Sequence, residues 1–182
     1  MTDELTLVKD LQDVQTKEQA FRVLITEYKE RLYWHIRKIV ISHDDADDVL
    51  QNTFIKIFRS IDNFKQQSKL FSWMYRIATN EAITFINKRA KERNIDITEL
   101  QQKLVSELES DHWFSGDEIQ LILQKAIATL PQKQQLVFNM KYFDNMKYID
   151  ISDVLETSVG ALKASYHHAV RKIEEYIKTN TN

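Results

Sequence analysis

The chain has 182 residues, 43% hydrophobic and 29% charged, which fits one packed domain or two small ones and argues against disorder. Two glycines and one proline leave almost no material for tight turns and hairpins, so the composition predicts an all-α fold. Having no cysteine, the sequence excludes a disulfide framework, a thiolate zinc site and a thiol nucleophile, and its formal net charge of −2 points to no particular partner.

Charge is nevertheless unevenly placed. Residues 1–93 carry 16 basic against 14 acidic side chains, 94–120 carry 1 against 7, and 121–182 carry 8 against 6. An acidic middle therefore separates two mildly basic ends. No apolar run approaches the roughly 20 residues that cross a bilayer, so no membrane insertion is expected. The start, MTDELTLVKD, is acidic where a signal peptide is basic, which makes the cytoplasm the expected address.

In chain order, a short helix is expected before Thr16, and Thr16 with Gln19 reads as a capping box. Phe21, Leu24, Ile25, Tyr28, Leu32, Ile36 and Ile39 then form one helical stripe; Ala46, Val49, Leu50, Phe54, Ile57, Phe58 and Ile61 form a second; Leu70, Trp73, Met74, Ile77, Ala78, Phe85 and Ile86 form a third. Three such faces must cover one another, so residues 1–93 are expected to form one helical domain. Residues 94–118 hold the acidic excess and no long stripe, and read as a linker in which Leu100, Leu104 and Leu108 could line a transient helix. Residues 119–182 read as a second helical domain. Ile119, Ile122, Leu123, Ala126, Ile127 and Leu130 make its first stripe, Pro131 suits the start of the next helix, and Leu136, Val137 and Met140 follow. A short helix with Ile151, Val154 and Leu155, a turn, and a long helix from Val159 to Ile177 capped by Ser158 make a helix-turn-helix candidate.

Three features carry chemistry. DDADDVLQNTFIKIF, residues 44–58, puts four aspartates at one helix start; the macrodipole accounts for one or two, and the remaining repulsion is better explained by a basic partner. A calcium loop is excluded because its glycine and glutamate positions, counted from Asp44, are Val49 and Ile55. Residues 63–93 carry seven basic and two acidic side chains, with Phe64, Phe71, Trp73 and Tyr75 near Lys65, Lys69 and Arg76. Such interleaving suits unpaired bases, although a solvated helix end and core aromatics explain much of it. In the last helix Gly160 and Ala161 leave room for a phosphate near free backbone amides, while Lys163, Ser165, His167 and His168 point off the apolar stripe towards a possible major groove. The adjacent histidines lack an i+4 partner or carboxylates, so no metal or other cofactor is expected. No glycine-rich phosphate loop, HExxH or catalytic constellation occurs, and neither an enzyme nor a small-molecule substrate is expected.

With those residues in view, the chain resembles the extracytoplasmic-function (ECF) class of bacterial sigma factors over about residues 18–93 and 119–178. DDADDVLQNTFIKIF is similar to that family's acidic core-binding helix. FSWMYRIATNEAITFINKRAKER is similar to its promoter-melting helix, and the segment from AIATLPQKQQLVF to the last helix is similar to its carboxy-terminal helix-turn-helix. The resemblance implies a factor that binds core RNA polymerase and directs promoter-specific transcription initiation. It implies that Asp47, Asp48 and Gln51 make polar contacts to the clamp of the polymerase largest subunit, with Leu50 and Phe54, beside Val49 and Phe58, divided between core and interface. It assigns the minus-ten element to Phe64, Lys65, Ser68, Trp73, Arg76 and Asn80, with Lys88, Arg89, Lys91 and Arg93 on phosphates. The minus-thirty-five element falls to Ser158, Lys163, Ser165, His167 and His168, with Arg171 and Lys172 on phosphates. An anti-sigma factor is a further implied partner.

The chain departs from the family pattern at three places: Gln135 stands where arginine is usual, Ser165 where arginine is frequent, and Glu156 where the turn usually has glycine. A left-handed backbone at Glu156 would cost about 1 kcal/mol more than with glycine. The two promoter elements lie about 25 base pairs or roughly 85 Å apart, which a linker of about 25 residues reaches only when largely extended. The rival reading is a dimeric helix-turn-helix regulator that binds a palindromic operator without polymerase.

Overall fold

The computed structural model describes residues 3–110 and 118–180, with backbone alone at 109 and 110. The rest of the expected linker, 111–117, lies outside the described residues. Nine α-helices are present among them: α1 (Glu4–Gln12), α2 (Lys17–Val40), α3 (His43–Ser60), α4 (Leu70–Glu92), α5 (Ile97–Ser106), α6 (Glu118–Ala128), α7 (Gln132–Tyr142), α8 (Tyr148–Leu155) and α9 (Val159–Asn180). No strand occurs among the described residues.

Helices α2, α3 and α4 pack pairwise around Leu24, Leu32, Ile36, Leu50, Ile57 and Met74, and α1 lies against α2 and the 3-10 turn Ile61–Asn63. The start of α2 differs from the expected capping box. Thr16 makes no side-chain cap and donates its hydroxyl to the Asp10 carbonyl at 2.8 Å, tying α2 back to α1. Helix α3 has a conventional cap, since Ser42 Oγ accepts from the Asp45 N–H at 3.4 Å.

In the second half α6, α7 and α9 enclose Ala126, Ile127, Leu130, Phe138, Ala169 and Ile173. Ile119, expected on the first stripe, is instead exposed. Asn145, at φ 50°, lets the chain reverse after α7, and the Met146 N–H closes onto the Met140 carbonyl at 3.0 Å. Glu156 has φ 50° and ψ 42°, the left-handed conformation expected there, and Ser158 Oγ accepts from the Ala161 N–H at 3.3 Å. Helices α8 and α9 thus form the helix-turn-helix.

The segment read as an open linker is structured over α5. Asp96 caps it by accepting from the Glu99 N–H at 2.8 Å. Leu100, Leu104, Val105 and Leu108 turn one face onto Ile86 and Ala90 of α4 and onto Leu121 and Ala128 of α6. Each buried leucine contributes about 1.5–3 kcal/mol, so the three together outweigh the roughly 4 kcal/mol cost of nucleating a short helix. The two halves also meet directly: α8 lies along α4, α7 touches α2, and Val137, Met140, Ile151 and Val154 join the same apolar cluster as Met74 and Ala78.

Candidate polymerase and nucleic-acid interfaces

On α3 the aspartates divide. Asp45 pairs with Arg89 of α4, so one of the four charges is balanced inside the molecule. Asp47 lies 3.6 Å from His43, one turn earlier, and remains largely exposed, as do Asp44, Asp48 and Gln51. Leu50 and Val49 are core residues, 4% and 2% exposed. The interface role that the resemblance allowed Leu50 is therefore unavailable in this conformation, because the α-helical period turns it inward between α2 and α4.

Phe54 is also mostly buried, yet it forms the floor of an open apolar groove whose rims are Phe21, Ile25, Ile55 and Phe58, with Gln51 at one end. Phe21 meets Phe58 edge-on at 4.9 Å between ring centroids, and Lys17 Nζ lies 4.9 Å from the Phe58 ring centre. Phe21, Ile25 and Ile55 were missed as candidates. Ile55 offered a signal, since it is a large apolar side chain off the α3 stripe.

The minus-ten candidates gather where the turn after α3 meets the start of α4. Phe64 is buried against Trp73, 5.1 Å between ring centroids, and Gln66 sits at φ 55°. Helix α1 holds this loop from both ends. Gln12 Nε2 donates to the Ile61 and Phe64 carbonyls, both at 3.0 Å, and Glu4 Oε1 accepts from the Leu70 N–H at 3.0 Å, capping α4 where Lys69 supplies no cap. Lys65, Ser68, Trp73 and Arg76 line a concavity over Phe64, and its far wall is Asp153 and Glu156 of the other half. Asn80 is exposed on α4 outside that concavity.

Two cations here are already engaged across the halves. Lys69 Nζ donates to Asp150 Oδ1 at 2.7 Å, and that bond chiefly raises the Lys69 pKa. Arg76 donates from Nε to the Asp153 carbonyl and from Nη1 to Glu156 Oε1, each at 3.0 Å. At the far end of α4, Lys88, Lys91 and Arg93 are exposed, whereas Arg89 is turned into the Asp45 pair.

On α9, Leu162, Ala169 and Ile173 face the core, and Lys163, His167, His168, Arg171 and Lys172 form the exposed side, with Ser165 half-buried and Ser158 at the cap. Gln135, by contrast, is buried and far from that role. Its Oε1 accepts from Gln101 Nε2 at 2.8 Å, its Nε2 donates to the Ile127 carbonyl at 3.2 Å, and Gln101 also donates to the Ile39 carbonyl at 3.2 Å. A side chain from α5 thereby joins both halves.

The chain matches the family descriptions Sigma-70 region 2 over residues 24–92 and Sigma-70, region 4 over residues 120–173. It is 27% identical to the ECF RNA polymerase sigma factor SigW of Bacillus subtilis, over 96% of this chain and 98% of that one. To the ECF RNA polymerase sigma-E factor of Escherichia coli strain K12 it is 25% identical, over 98% and 97%. Among solved structures it is similar to CnrH in complex with the cytosolic domain of CnrY, with a TM-score of 0.71, 19% identity and coverage of 97% and 98%. It is also similar to the sigma factor RpoE bound to the anti-sigma factor NepR from Bartonella quintana, with a TM-score of 0.66, 20% identity and coverage of 88% and 98%.

Proposed function

The chain belongs to the sigma-70 family, in its ECF class, and is a factor that binds core RNA polymerase and directs promoter-specific initiation; from this premise we propose how its surfaces divide that work. Asp47, Asp48 and Gln51, with the groove of Phe21, Ile25, Ile55 and Phe58, dock the coiled-coil clamp of the polymerase largest subunit. An apolar groove on the same helix as the exposed Asp47 and Asp48 suits a helix that carries both leucines and basic side chains. Phe64, Lys65, Ser68, Trp73 and Arg76 receive an unpaired base of the minus-ten element, with Asn80 beside them and Lys88, Lys91 and Arg93 on phosphates. Arg89 joins them only when released from Asp45. The exposed side of α9 reads the minus-thirty-five element, with Ser165 in place of the frequent arginine altering base preference.

Polymerase supplies the chemistry, and this protein acts in the cytoplasm by positioning and strand trapping. A single observation supports the reading most strongly: one chain presents an acidic apolar-grooved face, an aromatic and basic concavity and a helix-turn-helix on three different elements. Because the solved relatives CnrH and RpoE are described in complexes with partner proteins, a sequestering protein of the anti-sigma kind is also proposed here.

The deciding assay is transcription by purified core polymerase on genomic fragments with and without the protein. Protein-dependent start sites are expected. Tight binding to a palindromic operator with no effect on core would favour a dimeric regulator instead. Reversing charge with Asp47→Lys and Asp48→Lys is expected to weaken core association at least tenfold, with an unchanged circular-dichroism melt; unaltered association would remove that face from the account.

A further inference from the structure

We propose that Tyr148 is a positioning residue for minus-thirty-five recognition: its ring holds the Lys163 ammonium ready for a base edge and so sets which base is preferred there. The inference rests on the function just given, because Lys163 is one of the α9 side chains assigned to that element.

Tyr148 is the first residue of α8, and side chains of α7 and α9 meet on its ring. Lys141 Nζ, from α7, lies 5.2 Å from the ring centre, and Lys163 Nζ, from α9, lies 5.9 Å from it. Both fall within the roughly 6 Å over which an aromatic face attracts a cation. The Tyr166 ring, three residues after Lys163 and so on the same side of α9, meets Tyr148 edge-on at 6.4 Å between centroids. Tyr166 in turn stacks on Phe138 of α7 at 5.8 Å and 14°. Packed aromatics of two neighbouring helices therefore fix the platform. The Tyr148 hydroxyl has no hydrogen-bond partner among the described residues, so its contribution here is the ring.

The two lysines differ in what else holds them. Lys141 also donates to the Met146 carbonyl at 3.1 Å. Lys163 is exposed and has no other partner among the described residues. A lysine on a solvated helix face explores many rotamers, and freezing it against DNA costs entropy. A ring that limits those rotamers beforehand lowers that cost and favours one direction of approach. Two ammoniums on one ring also repel each other, and an acceptor brought to Lys163, such as guanine O6 or N7, offsets the repulsion.

The test uses holoenzyme, core polymerase with the full chain, and a library of duplexes built on a promoter found in the genomic assay, with its minus-thirty-five element randomised. Bound fractions are sequenced for wild type, Lys163→Ala, Tyr148→Phe, Tyr148→Leu and Tyr148→Leu/Lys163→Ala. Preference is a ratio among bound duplexes, so a lower folded fraction cancels out of it. Lys163→Ala marks the position that Lys163 reads as the one whose preference falls most. Tyr148→Phe keeps the ring and is expected to match wild type. Tyr148→Leu is expected to lower discrimination at the marked position about two- to fivefold, the range of a cation–π contact at an exposed site, and to leave the other positions alone. The double variant is expected to lose no more than Lys163→Ala. Wild-type preference in Tyr148→Leu, even with weakened affinity, would overturn the proposal, as would a phenylalanine variant that behaves like the leucine one. Wild-type preference in Lys163→Ala would remove Lys163 from base reading, and the proposal with it. Failure of the wild-type chain to direct core to any start site would instead count against the function itself.

Discussion

Asp144 and Gln101 are single side chains on which the junction of the two halves turns. Asp144 Oδ2 lies 3.2 Å from His35 Nδ1 and its other oxygen pairs with Lys38, while His35 Nε2 lies 2.8 Å from Thr79 Oγ1. Burial pushes the Asp144 carboxyl up, but His35 and Lys38 outweigh it and leave the group below its ordinary 3.8. A depressed carboxyl stabilises the folded state above its unfolded value and loses that contribution as pH falls through the folded one. Asp144→Asn is therefore expected to cost about 2 kcal/mol near neutrality. In urea titrations the gap to wild type should stay level above about pH 5 and close as pH drops below the ordinary value. A gap that widened on acidification would contradict the sign. For Gln101, replacement by leucine strands the Gln135 oxygen and the Ile39 carbonyl, a loss of about 2 kcal/mol, checked by the urea midpoint and expected to be partly recovered in Gln101→Leu/Gln135→Leu. The same network accounts for glutamine where the family usually has arginine, since a buried position facing Gln101 has no place for an unpaired guanidinium.

Among the elements, α1 lies before the matched region 2 yet grips the minus-ten loop through Gln12 and the start of α4 through Glu4. Two bonds from one amide hold a loop that contains a left-handed Gln66. Gln12→Ala is expected to cost about 1–2 kcal/mol of local stability and to slow promoter opening several-fold, read by permanganate reactivity of the melted strand. Core affinity should change little, because the bond meets α3 only at its C-cap residue Ile61, about 20 Å along the helix from Asp47 and Asp48. Opening at the wild-type rate would confine α1 to a packing role. Helix α3 shows the complementary case: its period told inward from outward residues, but only the packed neighbours α2 and α4 revealed that Asp45 is spent on Arg89 and that Phe54 floors a groove.

At the scale of the whole molecule, the structured α5 and the promoter geometry make opposite demands. Ten helical residues advance about 15 Å, and the same ten extended reach about 33–36 Å. On the proposed placement of the two halves on elements roughly 85 Å apart, α5 is expected to melt and its leucines to leave Ile86, Ala90 and Leu121. Lys103→Pro, which breaks α5 at a cost of about 3 kcal/mol, is expected to lower the melting temperature of the free protein while leaving start-site choice by holoenzyme intact. Altered start sites would mean that α5 stays helical on the promoter.

Sequence alone determined the all-α class, the stripes of α2, α3 and α4, the Ser158 cap and the helix-turn-helix, because all of these are written in local periods and caps spanning a few residues; the left-handed Glu156 is expected only from the glycine that the resembling family has there. It could mark Leu100, Leu104 and Leu108 as a possible face but not say what buries them. Tertiary structure decided that α5 is ordered, that Thr16 bonds backwards to Asp10, and that Leu50 is interior. It also decided that Lys69, Arg76 and Arg89, equally eligible cations in the sequence, already hold acceptors from elsewhere in the chain. The physical reason is range: a helix period reports which side of one element is apolar, whereas a charge or an apolar face is satisfied by whatever distant residue the packing brings within about 3–4 Å.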